Sequence, residues 1–147
     1  ESKDEAIEEL VDLLVETHEV AIGLRGDILE CVLERERSMS TGMEHGVALP
    51  HGSSERLDDA IAALGISRKG VPFQSIDGQR ARIIVLVLLP KHRFQDHVRL
   101  LADISHLMAD RMLRDTLVVA TDADALIRFI EQAEDSGRDT TVREEKS

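Results

Sequence analysis

Aromatic residues are almost absent: the 147-residue chain has no tryptophan, no tyrosine and three phenylalanines. That is poor material for stacking nucleotide bases. Cysteine occurs once, as Cys31, which excludes an internal disulfide and any multi-cysteine zinc site and fits a reducing compartment. Long apolar runs are missing too; the longest, Ile83 to Leu89, is too short to cross a bilayer. No charged-then-apolar segment opens the chain, so nothing in it points to export. Positive charge is scarce, with 18 Lys and Arg against 29 Asp and Glu and a net charge of −11. Such a surface repels nucleic acid and anionic lipid. The absences together predict a cytoplasmic domain with no nucleic-acid partner and no direct membrane insertion.

What is present suits one globular domain: 42% hydrophobic and 32% charged residues, in a chain long enough to bury a sizeable core. It begins with Glu1 rather than Met, as a piece of a longer protein would. Ser2 and Glu5 form an S-x-x-E capping box ahead of Ala6, Ile7, Leu10, Val11 and Leu14, which predicts a first helix over about 3–17. Asp27 and Glu30 repeat the signal before Ile28, Leu29, Val32 and Leu33, predicting a second helix to about Arg37. Cys31 falls on that helix and reads as a buried apolar residue. Ser38 to Gly46 has loop composition, and Val47 to Leu49 reads as a short strand ending at Pro50.

Ala60 to Ser67 reads as a second strand, its Gly65 marking a bulge or a close approach. After a loop with an Asp77-Gly78 turn, "ARIIVLVLLP" reads as a strand buried on both faces. Val98, Leu101, Ile104, Leu107 and Met108 predict a third helix over Gln95–Ala109, and Asp110 opens a shorter one. "LVVAT", residues 117–121, reads as a short last strand, and Thr121 and Asp124 start a final helix. The division expected is a domain over 1–132 and a charged tail or linker over 133–147, whose near lack of apolar residues predicts disorder. Helices alternating with short buried strands predict an α/β layer structure.

Six histidines are the candidates for chemistry: His18, His45, His51, His92, His97 and His106. His18, His92 and His106 read as ordinary surface or core residues. His97 and His106 lie nine positions apart on one helix, and at about 100° per residue they face opposite sides. A metal site would have to combine His45, His51 and His97 across the fold, with no H-E-x-x-H or cysteine-rich spacing to support it; no metal is expected. His51 stands apart because Pro50 before it is rigid and Gly52 after it has no side chain. An imidazole so presented suits a nucleophile, a general base or a metal ligand. Spacing alone leaves an incidental turn residue equally open. For phosphoryl transfer the further need is positive charge and donors around the transferred group. Arg35 lies just before the hydroxyl loop of Ser38, Ser40 and Thr41, and His97 lies at the start of the helix after the central strand.

These residues match a known pattern. "ERERSMSTGMEHGVALPHG" resembles the active-site segment of the fructose/mannitol-type enzyme IIA domains of the bacterial phosphotransferase system. Those domains carry an Arg-Glu pair, a Ser-Thr loop and then Gly-apolar-Ala-apolar-Pro-His-Gly. The downstream "GVPFQSIDGQRARIIVLVLLP" and "DHVRLLADISHLM" follow in the family's order, and the resemblance covers about residues 2–132. It implies a single α/β domain whose mixed sheet of about five strands is flanked by helices on both faces. It also implies a phosphohistidine relay that needs no metal or organic cofactor. By position His51 matches the phosphorylated histidine, His97 the second histidine beside it and Arg35 the arginine near the phosphate. Ser40, Thr41, Gly46 and Gly52 would surround the phosphoryl group. The implied partners are an HPr-like donor and a IIB domain or regulatory target. Nitrogen-regulatory members share the motif, and IIA-like domains also occur fused behind membrane transporters, so a regulatory binding module acting by protein contacts is the alternative. Two features depart from the pattern: His45 stands where the family usually has Asn, Asp, Glu or Gly, and no strand is read before the first helix.

Overall fold

The structure is a computed structural model that describes residues 2–119 and 140–146, with side chains for 2–92, 95 and 98–118. Helix α1 (Lys3–Glu16) begins at the expected cap, where the Ser2 hydroxyl accepts the Glu5 N–H at 3.2 Å. It is followed by a 3-10 turn at Ile22–Leu24 and helix α2 (Arg25–Ser38). Asp27 is therefore not a cap: it lies in the first turn of a helix that starts at Arg25. Arg25 is tied back to α1 by an ion pair with Glu8 at 2.9 Å and a second with Asp12. Strands β1 (Val47–Ala48), β2 (His51–Ser54), β3 (Ala60–Val71) and β4 (Ala81–Pro90) come next. Helices α3 (Phe94–Met108) and α4 (Arg111–Val119) and strand β5 (Thr140–Lys146) complete the described elements.

The five strands form one mixed sheet in which β4 is the hub. Both β1 and β2 run parallel to β4 along one edge, β3 runs antiparallel along the other, and β5 lies parallel to β3 on the outside. Nine of the ten β4 residues are buried, and the strand's alternation sorts them. Ile84, Leu86 and Leu88 pack under α1 and α2, whereas Ile83, Val85, Val87 and Leu89 pack under α3 and α4. Both faces are thus covered by helices, each buried aliphatic side chain contributing about 1.5–3 kcal/mol of transfer free energy.

Two local expectations change and a third is narrowed. The strand expected to stop at Pro50 is only interrupted there. Val47 opposes Ile83 and His51 opposes Val87, so β1 and β2 keep one register against β4. Proline lacks an N–H for the ladder, but the Pro50 carbonyl still accepts the Val87 N–H at 3.0 Å. Register between β3 and β4 runs unbroken past Gly65 and shifts only between Ile66 and Val71. Of the two readings of Gly65, the close approach is the one found, since a Cβ there would meet the Leu10 side chain of α1 at 3.2 Å. Finally, "LVVAT" is not a strand: through Val119 it is the end of α4. The Asp110 carboxylate accepts the Met112 N–H at 2.9 Å and starts a helix that buries Leu117, so the cap prevails over a short β-branched run.

The charged stretch read as a disordered tail contains β5, paired from Ala60↔Thr140 to Ile66↔Lys146. Composition weighs side-chain burial, but ladder hydrogen bonds are made by backbone groups that every residue but proline carries. The outer edge of β3 supplies such a template. The expected final helix from Thr121 lies outside the described residues.

Gly52 carries the packing of α2 on β2. A Cβ there would lie 2.9 Å from Val32 Cγ2 and 3.2 Å from Cys31 Sγ, and Val32 is fully buried. Gly52→Ala is therefore expected to lower stability by about 1–3 kcal/mol through overpacking, read as a fall in the urea midpoint; an unchanged midpoint would mean that α2 moves aside freely.

Candidate functional site

The site is built where the end of α2, the loop after it and the β1–β2 edge meet. Ile28, Val32 and Glu36 are the buried residues of α2, four apart on one stripe. The third of these is a carboxylate, only 2% exposed. It accepts the Thr41 N–H at 2.9 Å, the Thr41 hydroxyl at 2.5 Å and Lys3 Nζ at 3.3 Å. Thr41 in turn accepts the Leu49 N–H on its carbonyl at 3.1 Å. Two residues on, His51 is half-buried at the head of β2, with Nδ1 lying 2.9 Å from the Leu49 carbonyl. A carbonyl only accepts, so the bond places the ring proton on Nδ1 and leaves the Nε2 lone pair free.

Burial pushes the His51 pKa below its ordinary 6.5. The Leu49 hydrogen bond and the Glu36 carboxylate act the other way, and the positive charge of Arg35 adds to the lowering. The result is an imidazole held neutral at physiological pH. Arg35 occupies the last turn of α2, where its Nη1 donates to the Met39 carbonyl at 2.9 Å.

The expected residues do not all converge. Arg35 and His51 act on one another through their charge. His97 lies in the first turn of α3, beyond the end of β4, and its side chain is outside the described residues. Thr41 is 8% exposed with both its donors committed to Glu36, so it supports the loop and does not offer its hydroxyl proton to a phosphate. The Ser40 hydroxyl is likewise spent, bonding the Phe73 carbonyl and accepting the Gly42 N–H at 3.0 Å. Gly46 caps the opposite end of the edge: its carbonyl accepts the Arg82 and Ile83 N–H groups at 2.8 and 3.0 Å. Five residue steps of extended chain separate it from His51, about 16 Å at the usual strand rise. At Gly52 the missing side chain makes room for α2, since a Cβ there would meet Val32 and Cys31.

His45 adopts a left-handed φ of +66° and donates its N–H to Asp77 at 2.9 Å. That conformation is one that Asn, Asp and Gly tolerate well. Cys31 donates its thiol to the Ser53 carbonyl at 3.2 Å. No cluster of three His, Cys, Asp or Glu is placed to hold a metal ion among the described residues. The sequence reading met Glu36 only in the Arg-Glu pair and as a surface partner for Arg35, whereas it is buried; the signal was an acidic residue at the next fourfold step after Ile28 and Val32.

The described residues thus make an α/β domain that presents a half-buried, neutral imidazole at the head of an edge strand, beside an arginine. Over residues 1–133 the chain matches the family described as phosphoenolpyruvate-dependent sugar phosphotransferase system, EIIA 2, and it belongs to that family. It is 30% identical over 130 residues to the PTS system fructose-specific EIIABC component of Bacillus subtilis, covering 88% of this chain but 20% of that protein. The nitrogen regulatory protein IIA-Ntr of Neisseria meningitidis has a similar structure, with TM-score 0.76 and 29% identity over 88% of this chain and 86% of that one. IIA mannitol of Escherichia coli, solved in complex with phosphorylated IIB mannitol, shares the fold with TM-score 0.71 and 20% identity over 93% and 89% of the two chains. The mixed α/β domain with helices on both faces is that of the IIA domains.

The His51 ring is expected to titrate below 6.5 in the folded protein, followed by imidazole NMR. Arg35→Gln removes a charge that opposes protonation, so it should raise the midpoint; a midpoint unmoved by the substitution would place Arg35 out of electrostatic range. Because the folded pKa is depressed, the stability contributed by neutral His51 is complete above pH 6.5. It declines as pH falls from there through the folded value.

Proposed function

We propose that this domain accepts a phosphoryl group on Nε2 of His51 from an HPr-like phosphohistidine and passes it to a IIB domain or a regulatory target. The observation that carries the reading is the hydrogen bond between His51 Nδ1 and the Leu49 carbonyl. It leaves Nε2 as the one ring nitrogen with a free lone pair. In the transfer, Nε2 forms a bond to phosphorus in line with the donor nitrogen as the donor P–N bond breaks. The Nδ1 proton stays where it is, and the donor imidazole leaves with its electron pair. Arg35 faces the negative charge spread over the phosphoryl oxygens, and His97, the second histidine of the family pattern, adds a positive or donating group. The step uses no metal or organic cofactor. Exchange between carriers charged by phosphoenolpyruvate puts the domain on the cytoplasmic side. No helix among the described residues is long and apolar enough to cross a membrane.

The likeness to both a fructose EIIABC component and a nitrogen regulatory protein supports a second reading, in which the phosphorylated or bare domain regulates a target by contact. In a form fused to a membrane transporter, that target would be the transporter itself. The two readings share the acceptor and differ in where the phosphate goes.

Incubation with phosphoenolpyruvate, enzyme I and HPr is expected to give acid-labile phosphate on the wild-type domain and none on His51→Ala. Label surviving that substitution would remove His51 as acceptor, and an unlabelled wild type would remove the relay. Transfer onward to a IIB domain separates transport from regulation.

A further inference from the structure

Packing does not account for Glu36. Its place on α2 continues the stripe of Ile28 and Val32, where an apolar side chain would bury at no electrostatic cost. A carboxylate there loses its hydration and must be repaid by hydrogen bonds. Three donors converge on its two oxygens, from Thr41 N–H, Thr41 O–H and Lys3 Nζ. Lys3 also donates to Gln74 at 3.2 Å, so the start of α1 and the loop before β4 lean on the same point.

We propose that Glu36 is a positioning residue for His51, acting through Thr41 and Leu49 to fix which ring nitrogen faces the phosphoryl donor. The inference rests on the reading of His51 as acceptor. Its path is unbroken. Glu36 holds Thr41 by both donors; the Thr41 carbonyl holds the Leu49 N–H; the Leu49 carbonyl takes the His51 Nδ1 proton. Both carbonyls belong to the loop and edge that Glu36 clasps onto the end of α2. Rotating the Leu49 peptide would free Nδ1 and let the ring proton move to Nε2, which blocks the nucleophile. The clasp also governs Arg35, the neighbour of Glu36, whose guanidinium closes on the Met39 carbonyl at the start of the same loop. A glutamine at 36 would set an NH2 group against one of the three donors, and a valine at 41 would remove one donor while keeping shape.

The test compares the intact domain with Glu36→Gln, Thr41→Val and Thr41→Ser. Nitrogen-15 NMR reads the His51 tautomer above its titration, and single-turnover transfer from phosphorylated HPr reads the rate. Glu36→Gln and Thr41→Val are each expected to shift the ring from Nδ1–H to a mixture of tautomers and to slow acceptance about 10- to 100-fold, as a misplaced reacting group does. Thr41→Ser, which keeps the hydroxyl, recovers most of the rate. The double variant falls no further than the worse single one, because the two residues form one path. A folded Glu36→Gln or Thr41→Val protein with the wild-type tautomer and rate overturns the proposal. If Glu36→Gln does not fold, Thr41→Val decides alone. A wild type that takes no label overturns the acceptor reading instead, and the tautomer comparison on the unphosphorylated protein still decides whether Glu36 sets the ring.

Discussion

The pairing of β4 along both of its edges is the constraint from which the other elements take their places. An extended apolar segment carries two rows of backbone donors and acceptors and two apolar faces, and none of the four can be left to water-free surroundings unpaired. β3 satisfies one edge and the β1–β2 run the other. α1 and α2 cover one face and α3 and α4 the second. His51 is located by that arrangement. It opposes Val87 in the ladder, so its backbone is set by the register of the sheet and its ring by the carbonyl two residues back.

Rigid support on one side and exposure on the other suit the acceptor role proposed for this imidazole. The backbone of β2 is anchored in the sheet, Gly52 lets α2 lie close against it, and the last turn of α2 brings Arg35 alongside. Glu36 completes the support from beneath. Two opposite charges on adjacent residues of one helix thereby serve different ends: Arg35 at the rim opposes protonation of the ring, and Glu36 in the core favours it. Burial decides the balance, and the ring stays neutral.

The large features were legible in the sequence because they depend on local order. The Ser2 cap, the stripes of α1 and α3 and the uninterrupted β4 each announce themselves by spacing alone. The motif around His51 identified the family, and Arg35 came with it. What the sequence could not supply were contacts that needed a distant neighbour. Thr41 and Ser40 carry hydroxyls in a loop beside the site, yet Glu36 and the Phe73 carbonyl claim them. Gly46 and Gly52 sit in the motif with His51, yet one closes the far end of the edge and the other accommodates α2. Nothing in the composition of Thr140–Lys146 marks it as a strand, because its partner is the backbone of β3.

By itself, then, the sequence determined the helix starts at Ser2 and Asp110, the central strand, the family and the identity of the candidate acceptor. These follow from periodicities and short motifs that a chain carries whatever it packs against. Only the tertiary structure decided that β1 and β2 are one interrupted edge, that Glu36 rather than a hydroxyl loop organises the site, and that Nε2 is the free nitrogen. Each of those turns on a hydrogen bond or a contact between positions that only the folded sheet brings together, where a donor has one best acceptor and sequence spacing cannot say which.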